Sequence, residues 1–442
     1  MKKIEYKIAK LVNKQGGDVY YVGGYVRDKL LNIKSKDIDI EVHNISYEQL
    51  SNILKEVGKP LSYGASFGIF SLREHNIDIA MPRTETNTGK GHRDFEIYVD
   101  PYIGTKKASK RRDFTINAIM QNVLTGQLID HYKGTKDLEN RIIRHIDDKT
   151  FVEDPLRVFR AAQFASRFEF KIARKTISLC RTVDVKALSK ERVELELKKA
   201  LLKANKPSIF FDSLSKMNQL NYWFNEVEQL KTIKQDKIHH PEGNVYIHSM
   251  MVLDEAAKYR NKVDNPYAFM LLALCHDFGK ITTTFKKGSR IHAYNHENEG
   301  IDIIKPFLKR FTNDKKIIKY VLNMSKLHMQ PNNCARNNSS IKATNNMFDK
   351  AISPKDLIYF AMCDHKCENK NDNRYKYLIE RYKIYEGIIS NNTITGNDLI
   401  AAGLTPNKNF SKLLSYSRKL QLSGLNKEEC LKQTLIYAKK LA

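Results

Sequence analysis

The sequence predicts an α+β chain, with a small β-sheet head over residues 1–145 and a mostly α-helical remainder. Two observations carry this expectation. Up to about residue 145, short β-branched runs such as Val19-Tyr20-Tyr21-Val22 and Asn76-Ile77-Asp78-Ile79-Ala80 alternate with helical segments. From Phe151 onward apolar residues recur at helical spacing, as in Leu195-Leu201-Leu202 and Met250-Leu253-Ala257. A chain of 442 residues has room for three or more compact units, each with its own core. Polar breaks at 231–243, ending in His239-His240-Pro241-Glu242-Gly243, and at 391–397 divide the helical part into 146–230, 231–390 and a tail, 391–442.

In the head, Val19-Tyr20-Tyr21-Val22 reads as a buried strand, Gly23-Gly24 as a tight turn, and Tyr25 to Leu31 as the start of a helix. Free backbone N–H groups at such a helix start can hold a triphosphate, and glycine lets the anion come close. Just downstream, Asp37 and Asp39 stand two apart on a β-branched strand, so both carboxylates face one side and can share divalent cations. Together these features outline a nucleotidyl-transfer site. Asp78, on an alternating stretch, is the candidate third carboxylate, serving as metal ligand or base; an exposed strand aspartate is the alternative.

A polar stretch at 85–110 reads as a loop feeding a basic corner, Arg111-Arg112-Asp113-Phe114-Thr115-Ile116-Asn117-Ala118. Three further blocks follow: Asp130-His131-Tyr132-Lys133-Gly134, then Glu153-Asp154-Pro155-Leu156-Arg157-Val158-Phe159-Arg160, then Ser189-Lys190-Glu191-Arg192-Val193-Glu194 with Glu196. In this order, and over about half of the chain, the blocks resemble the class II tRNA nucleotidyltransferases, the CCA-adding enzymes and their bacterial poly(A) polymerase relatives. The resemblance implies addition of C, C and A to the tRNA 3′ end from CTP and ATP without a nucleic-acid template. It implies Mg²⁺ on Asp37 and Asp39, and a triphosphate held by Gly23, Gly24, Arg27 and Arg112. Poly(A) polymerase or partial CC- or A-addition is the nearby alternative.

The block around Asp154 has its own physical reading. Asp154, Arg157 and Arg160 are spaced i, i+3, i+6, so a helix beginning near Glu153, with Pro155 in its first turn, would show them on one face. A carboxylate accepts and a guanidinium only donates. Cytosine and adenine each present an amino donor beside a ring-nitrogen acceptor, whereas uracil and guanine reverse that order. An Asp/Arg pair therefore matches C and A, which is the templating role the resemblance implies; a surface ion pair is the alternative. One departure is Gln163, where the family usually carries an arginine, so the triphosphate pocket has one positive charge fewer.

Beyond residue 231, His248, His276-Asp277 within Leu274-Cys275-His276-Asp277-Phe278-Gly279-Lys280, His296, His328 and Asp364 lie on apolar helical segments. This set resembles the HD metal-dependent phosphohydrolases. The resemblance assigns His248, His276, Asp277 and Asp364 to a primary divalent metal of unspecified identity, with His296 and His328 completing a second position and His292 as a substitute. It further implies phosphatase and 2′,3′-cyclic phosphodiesterase activity. An HD phosphohydrolase whose head merely binds RNA is the competing reading from another class.

The formal charge of +25, from 75 Lys and Arg against 50 Asp and Glu, favours a polyanionic partner such as tRNA. Six cysteines without a CxxC pair, and no signal-peptide core, read as a reduced cytoplasmic protein. Cys363, His365 and Cys367 read as helix residues pointing apart, with buried structural cysteine favoured over zinc. No apolar run is long enough to cross a membrane. In the tail, Lys408, Lys412, Arg418 and Lys419 are candidates for tRNA phosphates, or a solvated helix face.

Overall fold

The computed structural model describes residues 4–34, 37–62, 68–87, 95–236, 238, 240–366, 373–391 and 394–441. The chain divides into two compact units, 1–200 with 209–223, and 201–208 with 224–442.

The first unit is built on a sheet of β1 (Asp18–Tyr21), β2 (Ile38–His43), β3 (Leu61–Ser62), β4 (Ile69–Leu72), β5 (Ile77–Ala80), β8 (Met120–Asn122) and β9 (Leu128–Ile129), in the order β3-β4-β5-β2-β1-β8-β9. All neighbours run antiparallel except β2 and β5, which are parallel. Alternation along β2 sends Ile38, Ile40 and Val42 into a core with Ile8 and Val12 of α1 (Ile4–Lys14) and Leu50 and Leu54 of α3 (Tyr47–Val57). Asp39, Glu41 and His43 are left on the other face. Ser46 and Gln49 form a capping box that starts α3. Between these, α2 (Gly24–Leu30) begins at the diglycine turn.

The 85–110 stretch is not a loop throughout. β6 (Arg83–Asn87) pairs antiparallel with β7 (Phe95–Val99), and α4 (Thr105–Lys110) follows. β-branched and aromatic residues in Phe95–Val99 favour the extended state despite the surrounding polarity.

After α5 (Gly134–Glu139) comes a second correction. The helix expected to begin near Glu153 begins instead at Leu156, as α7 (Leu156–Phe168), and Glu153 ends a separate helix, α6 (Asp148–Glu153). Asp154 lies between them in extended backbone, φ −116° and ψ 100°. Pro155 disfavours helical geometry at the residue before it, and the Asp154 carboxylate accepts from Leu156 N at 3.1 Å, which helps to start α7. The unit's remaining helical segments are α8 (Arg174–Cys180), α9 (Lys190–Lys203) and α10 (Ser208–Lys216).

The second unit is helical. After α11 (Asn225–Gln229), α12 (Val245–Tyr259) and α13 (Pro266–Cys275) pack together. Every residue of α13 from Tyr267 to Cys275 is buried, as befits an almost wholly apolar helix with Asn265 as its cap and Pro266 at its first position. After α14 (Lys280–Thr283) come a small hairpin, α15 (His296–Phe311), α16 (Lys315–Leu327), α17 (Met329–Arg336), α18 (Ile341–Lys350), α19 (Pro354–Lys366) and α20 (Arg374–Asn391). The helices α12, α16 and α19 all contact α13. The tail, α21 (Gly396–Ala401), α22 (Phe410–Leu422) and α23 (Lys427–Leu441), packs on Leu399, Leu413 and Cys430. Arg418 is tied there to Asp349, with Nε at 3.1 Å, so it braces the protein rather than standing ready for RNA. Cys363 is buried on α19 and donates to Tyr359 O, while Cys367 lies outside the described residues.

Candidate active sites

In the head, β1 brings the diglycine turn to the acids. Tyr21 pairs with Ile40, and Val22 N donates to Asp39 O at 3.0 Å, so the chain turns beside Asp39. Gly23 has φ 65°, a left-handed conformation that glycine adopts freely. A Cβ there would stand 3.1 Å from Arg112 Nη1 and 3.7 Å from Asp39 Oδ2. Asp37 immediately precedes β2, and Asp78 on β5 is the register partner of Asp39, so strand alternation places all three on one face. Burial pushes the Asp39 carboxyl up; Arg112 opposes that, while Asp78 and Asp37 add to the rise. Like-charged oxygen donors gathered in this way suit a hard divalent cation, which relieves their repulsion. The open groove beside them is lined by Val22, Asp39, Glu41, Ile69, Asp78, Arg111 and Arg112.

Several residues that matter here are not apparent in the motifs. Glu41, two along from Asp39 on the same face, is buried and accepts from Arg112 Nη2 at 3.2 Å, with His43 Nε2 at 3.0 Å. Burial alone would raise its carboxyl, but His43, Arg112 and Arg111 outweigh burial and hold it at about 2. The period-2 spacing Asp37, Asp39, Glu41 was the available signal.

Arg27, expected on the triphosphate, is instead buried at 4 % exposure. Its guanidinium donates to Asp28 Oδ1, at 2.8 and 2.6 Å, and to Asn117 Oδ1 at 2.6 Å, and lies over the rings of Phe164 and Phe168. It stiffens the glycine turn from behind. Asp113 continues this chain, accepting from Asn117 Nδ2 at 2.9 Å and from Arg160 Nε at 2.7 Å. Asp28 also meets Arg167 at 3.1 Å. Arg160 is therefore committed to a buried carboxylate.

Asp154 and Arg157 do not pair through their side chains. Asp154 accepts from Arg192 Nη2 at 2.9 and 3.0 Å, and Arg157 donates to Thr150 O at 2.6 Å and Arg111 O at 2.8 Å. Gln163 is buried, with an Nε2 that has no hydrogen-bond partner among the described residues.

In the second unit, helix ends converge on Asp277. His248 comes from α12, His276 and Asp277 follow α13, His296 starts α15, His328 follows α16, and Asp364 lies on α19. Asp277 Oδ2 is 3.4 Å from His276 Nε2 and 3.8 Å from His248 Nε2; its Oδ1 is 3.3 Å from His296 Nε2 and 3.9 Å from His328 Nε2. Asp364 Oδ1 is 3.0 Å from His248 Nε2. His276, His296 and His328 each direct Nδ1 at a backbone oxygen three residues back, on Ala273, Ala293 and Ser325. Where Nδ1 donates and the ring is neutral, Nε2 is the atom turned to the centre as a metal ligand would be. Glu242 Oε1 lies 2.9 Å from His248 Nδ1, orienting that ring, and 2.9 Å from His240 Nδ1. Glu242 and His240 belong to the polar segment expected as a linker.

The six expected ligands form two triads, His248, His276, Asp364 and Asp277, His296, His328, and His240, Glu242 and His248 form a third group, each with ligand atoms within 4.8 Å of one another. His276 Nε2 is buried without a hydrogen-bond partner among the described residues, and Asp277 Oδ2 meets Lys280 Nζ at 2.7 Å. Burial would raise both carboxyls, yet Lys280 and the histidines around Asp277, and His248 beside Asp364, hold them below the usual range and ionised. Two acids held ionised, four imidazoles and the unpartnered His276 Nε2 together fit one or two divalent ions. His292 lies on the hairpin after α14, stacked 5.0 Å from Tyr294, and belongs to neither triad.

Comparison with known proteins matches a family to each of the two units. Residues 19–144 match the Poly A polymerase head domain family, and residues 245–363 match the HD domain family. The Multifunctional CCA protein of Actinobacillus pleuropneumoniae serotype 5b is 35% identical over 318 residues, 70% of this chain and 75% of that protein. The chain belongs to the CCA-adding tRNA nucleotidyltransferase family. Its Haemophilus influenzae relative, also a Multifunctional CCA protein, is 38% identical over 302 residues, 66% of this chain and 70% of that one. Among solved structures, the Thermotoga maritima CCA-adding enzyme complexed with tRNA has the same fold, with a TM-score of 0.65 at 22% identity over 98% of this chain and 95% of that one. A CCA-adding enzyme with ATP gives a TM-score of 0.66 at 21% identity over 98% and 93%. Both the nucleotidyltransferase and HD families use divalent metals. Among the described residues of this CCA-adding family member, no helix is long and apolar enough to cross a membrane.

Proposed function

We propose that this tRNA nucleotidyltransferase adds C, C and A to the 3′ end of tRNA from CTP and ATP, without a nucleic-acid template, at Asp37, Asp39 and Asp78. The observation that carries the assignment of residues is the register of Asp39 beside Asp78, with Gly23 and Arg112 at its edge. In the reaction the tRNA 3′ oxygen bonds to the α-phosphorus, the bond to the β-phosphate oxygen breaks, and pyrophosphate leaves. Asp37 and Asp39 would hold Mg²⁺, which when bound supplies charge neutralisation at the phosphates. Asp78, exposed at the groove, is placed to accept the proton of the attacking hydroxyl or to add a ligand. Backbone amides at the start of α2 and the Arg112 guanidinium receive the triphosphate, with Glu41 fixing Arg112 from behind. Asp154 and Arg157 read the C or A edge once they exchange their present partners for the base.

The histidine centre supports a second activity, hydrolysis of phosphomonoesters and 2′,3′-cyclic phosphates. His248, His276, Asp277, His296, His328 and Asp364 would hold its divalent metal, which when bound polarises the phosphoryl group and acidifies water. We further read the chain as four parts, a head (1–145), a neck (146–230), an HD domain (231–390) and a tail contacting tRNA (391–442). We place it in the cytoplasm, a reading supported by the five described cysteines forming no disulfide with one another.

Incubating the full chain with tRNA lacking its terminal CCA and each labelled nucleotide tests the first activity. Incorporation of C and then A is expected. Long A tails would make it a poly(A) polymerase, and no incorporation alongside metal-dependent cyclic-phosphate cleavage would reduce the head to an RNA-binding module.

A further inference from the structure

Besides His240, Met329 and metal ligands, the pocket over the histidine centre is lined by Lys280, Asn332, Asn333, Arg336 and Arg374. Helix α17 follows directly on His328, so His328, Asn332 and Arg336, at i, i+4 and i+8, share one of its faces. The ligand histidine and these hydrogen-bonding side chains are thus set by one helix face.

Lys280 is already committed. Its Nζ sits 2.7 Å from Asp277 Oδ2 and donates to Gln235 Oε1 at 2.8 Å. Arg336 differs: it is exposed, donates through Nη2 to Asn333 Oδ1 at 2.8 Å, and has no ion-pair partner among the described residues. That bond orients the guanidinium while leaving other N–H groups for a ligand. Arg374 adds a second guanidinium to the lining.

Charge points the same way. Asp277 and Asp364 are opposed by Lys280, Arg336 and Arg374, so two carboxylates meet three cations before any metal is counted. A pocket so balanced selects an anion, and guanidinium groups match phosphate oxygens in geometry.

We propose that Arg336 is the substrate-phosphate grip of this centre, with Arg374 beside it in the lining. The inference rests on the phosphohydrolase reading above. A monoester offers three free oxygens and a cyclic ester two, so loss of one guanidinium weakens the monoester more. In the hydrolysis, water oxygen bonds to phosphorus, the bond from phosphorus to the leaving oxygen breaks, and that oxygen takes a proton from the water.

The test uses the full chain with a divalent cation, comparing wild type, Arg336→Ala and Arg336→Lys. Substrates are adenosine 2′-monophosphate, adenosine 2′,3′-cyclic phosphate and a tRNA ending in a 2′,3′-cyclic phosphate. Inorganic phosphate binding, followed by calorimetry, provides a readout independent of turnover. Arg336→Ala is expected to raise KM for the monoester roughly tenfold or more with kcat little changed, as loss of a charged hydrogen bond implies. Phosphate affinity should fall in parallel, Arg336→Lys should recover part of both, and CMP incorporation should stay at wild-type level, reporting an intact fold. A larger KM effect on the cyclic tRNA than on the cyclic nucleotide would name the RNA end as the source of the phosphate. Unchanged KM and unchanged phosphate affinity in Arg336→Ala overturn the grip. If wild type hydrolyses none of the esters, the phosphohydrolase reading falls, and the phosphate titration still decides whether Arg336 holds an anion.

Discussion

Asp39 and Asp78 are register partners on adjacent parallel strands, and the Asp39 carboxyl is pushed up by burial and by its acidic neighbours. Two carboxylates side by side on one face of a sheet repel unless a cation lies between them. The arrangement therefore makes cation binding and the ionisation of Asp39 mutually dependent. Asp39→Ala should eliminate nucleotide transfer. Asp78→Asn should leave measurable transfer with a higher Mg²⁺ requirement, losing roughly ten- to a hundredfold in metal affinity or rate, as loss of a supporting metal-site group does. A Mg²⁺ titration of single-turnover CMP addition checks both, and equal loss in the two variants would remove the distinction.

Glu41 supplies a pH signature. Its folded carboxyl is held at about 2 against an ordinary 4.5. A depressed carboxyl stabilises the fold above its unfolded value and loses that contribution as pH falls through its folded one, so the window runs from about pH 4.5 down to about pH 2. At 1.36 kcal/mol per pH unit the gap amounts to on the order of 3 kcal/mol. Denaturant unfolding of Glu41→Gln should show a flatter acid limb than wild type over that window, together with weaker nucleotide binding as Arg112 loses its brace. An unchanged acid limb would mean that His43 and Arg112 do not stabilise the charge.

How much of this was legible in the chain depended on the range of each contact. The diglycine turn, Asp37 and Asp39 were readable because strand period and turn chemistry are local, and Asp78 because alternation alone exposes it. Arg27 was not. Its fate is set by Asn117, 90 residues on, and by Phe164 and Phe168, and no local pattern shows that those rings cover it. The displacement of Asp154 from its helix was available from Pro155, whose ring restricts the residue before it, but spacing was given more weight. In the second unit the ligand histidines stood out by type. Glu242 and His240 did not, because a polar Pro-Gly segment reads as an exposed connection until the His248 ring is found against it.

Arg157 bridges Thr150 O and Arg111 O, so it holds the bend between α6 and α7 while standing ready, in our reading, for a base. Both roles have consequences. Arg157→Ala should lower discrimination between CTP and UTP roughly tenfold or more, the size expected when a charged hydrogen bond to the base edge is lost. Transfer of CMP at saturating CTP should fall less. Stability should drop by about 1–3 kcal/mol, because two carbonyls lose their donor. Competition between labelled CTP and UTP, with unfolding measured alongside, separates these effects; a fall in rate with discrimination intact would return Arg157 to a structural role.

The two centres lie in different compact units, Asp37 in one and Asp277 in the other. Asp37→Ala should therefore abolish transfer and leave phosphate-ester hydrolysis intact, and Asp277→Ala should do the reverse. Both assays on both variants, with metal content measured after dialysis, provide the check. Loss of both activities in either variant would show that the sites are not independent.

Gly279 offers a test of the histidine centre that touches no ligand. Its φ is not in the left-handed region, so alanine carries no backbone penalty there, yet an added Cβ would lie 1.9 Å from His296 O and 2.8 Å from Gly300 N. Backbone atoms cannot move aside as a flexible side chain does, so the start of α15 must retreat. His296 would then leave Asp277 Oδ1, now 3.3 Å away, and the triad of Asp277, His296 and His328 would open. Gly279→Ala should destabilise the second unit by about 1–3 kcal/mol or more, the range for overpacking a dense interior, and should lose bound metal and hydrolysis together. Gly387→Ala in α20 is the control: nothing lies within 4 Å of its added Cβ, so helix propensity predicts a neutral or slightly stabilising change. Metal analysis and thermal unfolding of the two variants, with CMP incorporation unchanged in both, is the expected pattern. Metal retained by Gly279→Ala would show that α15 can shift without disturbing the ligands.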